Sequence, residues 1–124
     1  MHDENAMRAA AAFIGANGIW AFAHPKSFDA VSFRKDAGRN AGSTRWLGYF
    51  MTSAAATIAV ASTTSDKPTK KNVLRVLAGM GAASVATNAL GIALKTDRTD
   101  SALGTALVTG GLGAWALARA LKKD

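Results

Sequence analysis

Charged residues are confined to clusters along the chain, and four long segments contain no Asp, Glu, Lys or Arg. These uncharged segments are residues 9–25, 46–65, 76–94 and 101–118. Each holds 17 to 20 residues, and about 20 apolar residues are needed to cross the hydrocarbon core of a bilayer. The pattern therefore predicts four helices that each cross a membrane.

Polar residues between the uncharged segments predict where the helices begin and end. The proline at position 25 stops the first helix, because the residue before a proline is pushed out of the α region. The predicted helices cover about residues 5–24, 45–63, 70–95 and 100–121, all within a single membrane domain of residues 1–124. The predicted N-caps are Asn5, Ser43 or Thr44, Thr69, and Thr99 or Asp100.

The connectors between the helices predict how they are arranged. The longest, residues 26–44, contains a short amphipathic stretch at 27–33 that we expect to form a helical turn in the membrane interface. The other connectors are too short to join anything but antiparallel neighbours. The predicted fold class is all-α, an integral membrane four-helix up-down bundle with short connectors and both termini on one side.

Composition favours lipid over water as the surroundings of this bundle. Alanine buries only about a third as much apolar area as leucine, so Ala-rich helices would make a weak core in water. In a membrane, small residues instead allow helices to approach closely. The net charge of +7 and the pI near 10.3 would also fit a soluble, basic helical protein that binds nucleic acid. The basic residues lie at helix ends rather than on one face, so we expect contacts with membrane lipids and no nucleic acid.

Orientation and membrane type stay open. The side with the termini would carry eight basic residues and the opposite side seven, so the positive-inside rule does not choose between the two orientations. A plasma membrane and an organelle membrane fit equally well.

Arg8, the apolar residues 9–20 and the sequence Ala21-Phe22-Ala23 also resemble a cleavable signal peptide. Cleavage would leave three crossings.

Few residues are candidates for chemistry. The uncharged segments contain no acidic residue of the kind that proton- and cation-coupled transporters place within the membrane, and no catalytic or metal-binding pattern stands out. We therefore expect a protein that is not an enzyme. The candidates for cofactor binding are His24, whose ring could ligate haem or a chlorophyll magnesium, and Asn17 and Asn88. Each has a structural alternative, an interfacial position for His24 and an interhelical hydrogen bond for either asparagine. The sequence identifies no cofactor.

Small residues at four-residue intervals predict close helix packing. Such residues form a flat strip on one helix face, against which another backbone can pack. The predicted packing residues are Gly79, Ala83, Thr87 and Gly91 of the third helix and Gly110 and Ala114 of the fourth. The pattern leaves open whether the partner helix belongs to this chain or to another protein.

A family resemblance lies in the first half of the chain. Gly15, Gly18, Pro25 and Phe28, followed by Arg45-x-x-Gly48 at the start of the second helix, resemble the small four-helix membrane proteins of DoxX-like type. The resemblance implies the same four-crossing architecture. It implies little about chemistry, because much of that group has no assigned activity.

Two functions fit these observations best. The first is a non-catalytic accessory or scaffolding subunit of a larger membrane complex, of respiratory or photosynthetic type, whose partners would be other membrane-protein subunits. The alternative is a stand-alone membrane protein that binds a lipid, a quinone or another apolar small molecule between its helices, with Asn17 or Asn88 as the polar contact.

Overall fold

The computed structural model describes residues 2–123, and in that part of the chain it contains five helices and no strand. They are α1 (His2–Ala23), α2 (Pro25–Ser32), α3 (Ala41–Ala61), α4 (Lys67–Ala93) and α5 (Thr99–Leu121). The predicted all-α fold is confirmed. Two helices, α4 and α5, are long and apolar enough to cross a membrane.

All four long helices begin earlier than the sequence predicts. Helix α1 begins at His2 rather than near Asn5. Helix α3 is capped by Asn40, whose side chain accepts a hydrogen bond from the Ser43 amide at 2.9 Å, so the predicted caps Ser43 and Thr44 lie inside the helix. In the same way Asp66 accepts from the Thr69 amide at 3.1 Å and caps α4. In both cases an Asn or Asp three residues upstream reaches the free N–H groups of the first turn.

Helix α5 begins at Thr99, and the residue before it, Arg98, makes no side-chain cap. The predicted cap Asp100 instead lies in the first turn, where its carboxylate accepts from the Ser101 amide at 2.8 Å.

Helix α4 ends two residues before the predicted end at Lys95. Lys95 has a φ of 58°, the left-handed conformation that closes a helix. The amides of Thr96 and Asp97 then turn back to the carbonyl of Gly91, at 3.0 and 3.3 Å. Asp97 lies directly against Gly91, and a Cβ at that glycine would collide with the Asp97 carboxylate.

The short helix α2 occupies the first part of the long connector, where the sequence predicts a helical turn. Its Phe28 is buried and packs edge-on against Trp20 of α1, with ring centroids 5.2 Å apart. Phe33 follows α2, and its ring centroid lies 6.5 Å from that of Phe28. Helix α2 therefore lies against the end of the bundle.

The long helices form two antiparallel hairpins, the first of α1 and α3 and the second of α4 and α5. In the first hairpin, a Cβ added to Gly48 would lie 2.6 Å from the Gly18 carbonyl oxygen, and one added to Gly18 would lie 2.7 Å from the Thr52 amide. In the second, a Cβ added to Gly81 would lie 2.8 Å from the Cα of Gly113. Backbone meets backbone at both crossings, which only glycine permits.

The two hairpins meet in a small apolar cluster at the end that holds the termini, called here the terminal end. Met7 of α1 and Leu74 of α4 are fully buried in this cluster. Around them pack mainly alanines, including Ala6, Ala10, Ala116 and Ala120. The cluster therefore joins helices of both hairpins.

A group of ion pairs lies beside this cluster. The Asp3 carboxylate accepts from Arg119 Nε at 2.8 Å and lies 3.0 Å from Lys71 Nζ, and Glu4 pairs with Lys70. Burial raises the pKa of Asp3, but the hydrogen bonds from Lys71 and Arg119 outweigh it, so this pKa lies below its usual value. The hydrogen bond from Lys70 lowers the pKa of Glu4 to about 2. The first turn of α1 is thereby tied to both helices of the second hairpin.

Large and small apolar side chains are distributed in reverse of the usual order for a protein in water. Eight of the thirteen buried apolar side chains in the described part are alanine. Large apolar side chains lie outside on all four long helices, with Leu107 78% and Trp46 63% exposed. The side chains with the largest apolar area therefore lie on the outer surface of the bundle, where they contact whatever surrounds it.

Candidate functional site

A cleft of about 670 Å³ lies between the two hairpins and receives side chains from all five helices. Its volume is in the range typical of small-molecule sites, about 300–1,000 Å³. The lining is predominantly apolar and includes Phe13, Ile14, Met51, Leu77, Val108 and Leu112. Within each hairpin, by contrast, glycines bring the two helices into backbone contact.

The cleft is elongated along the helices. It is lined by α1 from Ala10 to Trp20 and by α5 from Asp100 to Gly113. At a rise of 1.5 Å per residue these stretches are about 15 and 20 Å long. The shape fits an extended molecule better than a compact one.

The two ends of the cleft differ. Toward the terminal end it stops at Ala10 and Leu77, which belong to the apolar cluster joining the hairpins. At the opposite end Phe28 and Val31 of α2 line it, with Ser32 beside them. This end is called here the α2 end. The cleft is thus closed by a packed core on one side and bounded by a short helix on the other.

Polar groups in the cleft are few and occur at two levels. Midway, the Asn17 amide donates to the carbonyl of Phe13 in its own helix at 2.9 Å. Opposite it, the Thr109 hydroxyl of α5 lies 2.9 Å from the Ser84 hydroxyl of α4 and links the two helices. The second level, at the α2 end, contains Ser32, Asp100 and Ser101. Small polar contacts in a largely apolar pocket are typical of sites that orient an apolar ligand.

The three candidate cofactor residues do not come together. Asn17 lines the cleft, whereas Asn88 does not and uses its amide to donate to the Ser84 carbonyl at 2.8 Å. His24 is exposed at the start of α2, in a separate depression of about 340 Å³ that also holds Lys26 and Arg45. A site shared by these three residues is not formed, and their individual roles stay predictions. The residues that the structure describes contain no group of three or more His, Asp or Glu placed to hold a metal ion.

Most of the predicted strip of small residues on α4 lies on the outer face of the helix, away from its contact with α5. A Cβ at Gly79 would meet nothing within 4 Å, and Ala83 and Thr87 are exposed. The observed contact with α5 lies on another face of α4, at Gly81 and Ser84. Gly91, the last residue of the predicted strip, is buried against Asp97 of the connector. On α5, Gly110 is half-buried against Val85, and Ala114 is exposed. Packing by the outer residues would require a helix from another chain.

Several residues of the cleft have no counterpart among the sequence-based candidates. Ser84 and Thr109 line it and bridge two helices, and Ser32 and Ser101 line its α2 end. In the sequence, these residues are marked only as serines and threonines within or beside the uncharged segments. Outward-facing residues such as Ser53 and Thr57 occur in the same positions, so the sequence does not separate cleft residues from exposed ones.

Comparison with protein-family models, curated proteins and solved structures finds no match to this chain. The DoxX-like resemblance therefore stays a prediction.

Proposed function

We propose that this chain is an integral membrane protein that binds an elongated apolar molecule, such as a lipid or a quinone, in the cleft between its two hairpins. The observation that carries the proposal is the cleft itself, a space of about 670 Å³ with a mainly apolar lining between two hairpins whose own helices touch at glycine. Empty space of this size lacks the packing contacts that a bound molecule would supply.

The membrane part of the proposal rests on helix length and on the outer surface. The four long helices have 22, 21, 27 and 23 residues, which at 1.5 Å per residue gives about 31–40 Å, enough for a hydrocarbon core of about 30 Å. Their large side chains point outward and would contact lipid tails. Trp46 and Tyr49, with ring centroids 5.7 Å apart, are exposed in the first part of α3, where an aromatic belt would meet the headgroups.

The test fills the cleft without disturbing the fold. Gly104 lines the cleft, and a Cβ added to it would meet nothing within 4 Å, so Gly104→Phe should project into the space. Gly111 of the same helix is equally unobstructed but is not part of the cleft, which makes Gly111→Phe the matched control.

Trp20 provides the readout, because it lines the cleft whereas Trp46 and Trp115 do not. In a variant whose only tryptophan is Trp20, reconstituted in phosphatidylcholine nanodiscs, bromododecane should quench the fluorescence in a saturable manner. Gly104→Phe should weaken this binding about tenfold or more, and Gly111→Phe should leave it unchanged. Quenching that does not saturate, or that is equal in both variants, would contradict the proposal.

A second candidate function is the accessory subunit, favoured by the outer face of α4. Gly79, Ala83 and Thr87 form an exposed strip with space for another helix. If a partner subunit packs there, Gly79→Leu should release this chain from a large complex on native gels after mild detergent extraction. Migration of the wild-type chain alone would exclude this function and leave the ligand-binding proposal in place.

A further inference from the structure

The distribution of polar groups along the cleft indicates how a ligand would be oriented. Near the terminal end the walls are apolar, formed by residues such as Ala10, Leu77 and Leu112. At the α2 end the walls include Ser32, Asp100 and Ser101. An extended molecule with one polar end would therefore place that end beside α2 and its apolar chain toward the terminal end.

The two serines of the α2 end are brought together by Arg98. The Arg98 amide donates to the Ser32 carbonyl at 3.1 Å, which fixes the end of α2 against the start of α5. Ser101 follows three residues later, one turn into α5. Both side chains are half-buried and line the cleft. Within the described part of the chain, neither hydroxyl makes a hydrogen bond to another group. Two hydroxyls are therefore available to donate to and accept from a ligand.

Charges at this end are already matched to one another. Arg98 Nη2 lies 2.8 Å from the Asp100 carboxylate, and Arg98 Nη1 donates to the Ala30 carbonyl at 3.2 Å. A cationic headgroup would have to compete with Arg98 for Asp100, and an anionic headgroup would face the Asp100 carboxylate. The local electrostatics therefore favour a headgroup without net charge.

We infer that the ligand is a single-chain amphiphile with an uncharged, oxygen-bearing headgroup held by Ser32 and Ser101. This inference rests on the proposed function and specifies the class of molecule that the cleft takes. The headgroup would exchange hydrogen bonds with the two serine hydroxyls, and the chain would lie along α1 and α5 toward Leu77.

The experiment uses displacement of bromododecane from the Trp20-only protein in nanodiscs. The competitors share a chain and differ in headgroup: dodecane, dodecanol, dodecanoate and dodecyltrimethylammonium, each expressed as its mole fraction in the bilayer. Dodecanol should displace the reporter at a mole fraction about tenfold lower than dodecane, because only dodecanol can exchange hydrogen bonds with the two serines. The two charged competitors should be weaker than dodecanol.

Substitution of both serines tests their assignment. Ser32→Ala combined with Ser101→Ala should abolish the preference for dodecanol over dodecane and leave the binding of bromododecane intact. Replacement of both by threonine, which keeps the hydroxyls, should retain the preference. Ser53→Ala, on the exposed face of α3, is the control and should behave as the wild type.

The possible failures are distinguishable. If bromododecane binds saturably but dodecanol shows no preference, or if the double alanine variant keeps the preference, the headgroup site is overturned and the cleft remains a ligand site. If a charged competitor is the strongest, the inference of an uncharged headgroup is overturned. If bromododecane itself shows no saturable binding, the proposed function fails and this inference with it.

Discussion

The contacts within each hairpin differ from the contacts between the hairpins. Within a hairpin, helices meet backbone to backbone, at Gly18 and Gly48 in the first and at Gly81 and Gly113 in the second. Between the hairpins, an apolar cluster and the ion pairs of Asp3 and Glu4 hold the terminal end, while the cleft separates the helices toward α2. The hairpins are thus close-packed units, and the cleft of the proposed ligand site lies at the boundary between them.

The largest expected effect comes from separating the helices of one hairpin. Gly81→Leu would place a side chain where even a Cβ would lie only 2.7 Å from the Thr109 carbonyl oxygen. We expect a loss of about 3 kcal/mol in the free energy of unfolding, because the backbone contact has to open to admit it. Sodium dodecyl sulfate titration in mixed micelles, followed by tryptophan fluorescence, measures this loss.

Gly79→Leu is the matched control for that substitution, since it lies two residues away on the same helix and meets nothing within 4 Å. It should leave the free energy of unfolding nearly unchanged. Equal losses for the two variants would show that the backbone contact at Gly81 does not hold the hairpin together.

A smaller effect is expected from weakening the connection between the hairpins. Asp3→Asn removes the carboxylate from Arg119 and Lys71, whose side chains are only 14% exposed. The loss of charge-assisted hydrogen bonds should lower the free energy of unfolding by about 2 kcal/mol. The same micelle titration measures it, with Asp36→Asn in the exposed turn as the control. A wild-type value for Asp3→Asn would mean that the apolar cluster alone holds the terminal end.

The smallest effect is a pH dependence from Glu4. Its pKa is lowered to about 2 in the folded protein, so the ionised form stabilises the fold at a pH above the ordinary carboxyl value near 4.5. This stabilisation should be lost as the pH falls from about 4.5 toward 2, where the folded carboxylate takes up its proton.

The measurement compares the wild type with Glu4→Gln over this pH range. The difference between their midpoints of unfolding in the sodium dodecyl sulfate titration should be greatest at neutral pH and should shrink on acidification. It should also be smaller than the effect of Asp3→Asn, because the Glu4 side chain is more exposed, 16% against 8%. A difference that is constant with pH would show that the pair with Lys70 does not contribute.

Sequence reasoning succeeded where a local property was decisive. The uncharged segments predicted the four long helices, and Pro25 marked the end of α1 at Ala23. The amphipathic stretch after it predicted the helical turn that became α2. The N-caps were predicted less well, because Asn40 and Asp66 cap their helices three residues before the predicted Ser43 and Thr69, whose amides are the donors.

Sequence reasoning was weaker wherever a helix face had to be chosen. Small residues occur on several faces of α4, so the intervals that include Gly79 and Ala83 looked as suitable as the face that includes Gly81 and Ser84. The choice depends on the rotation of α4 about its axis, which is set by contacts with α5 that are distant in sequence. The candidate binding residues were affected in the same way, and only Asn17 lies in the cleft.

The sequence by itself determined the helical fold, the approximate positions of the long helices and the separation of charged from apolar segments, because each depends on residues close together in the chain. Only the tertiary structure decided which helix faces meet and that Asp3 pairs with Arg119. It also decided that a cleft remains between the hairpins. The physical reason is that alanine and glycine provide too little side-chain volume to specify a partner on their own. The packing of the alanines and glycines is fixed by the rest of the bundle. The size and place of the cleft follow from that packing.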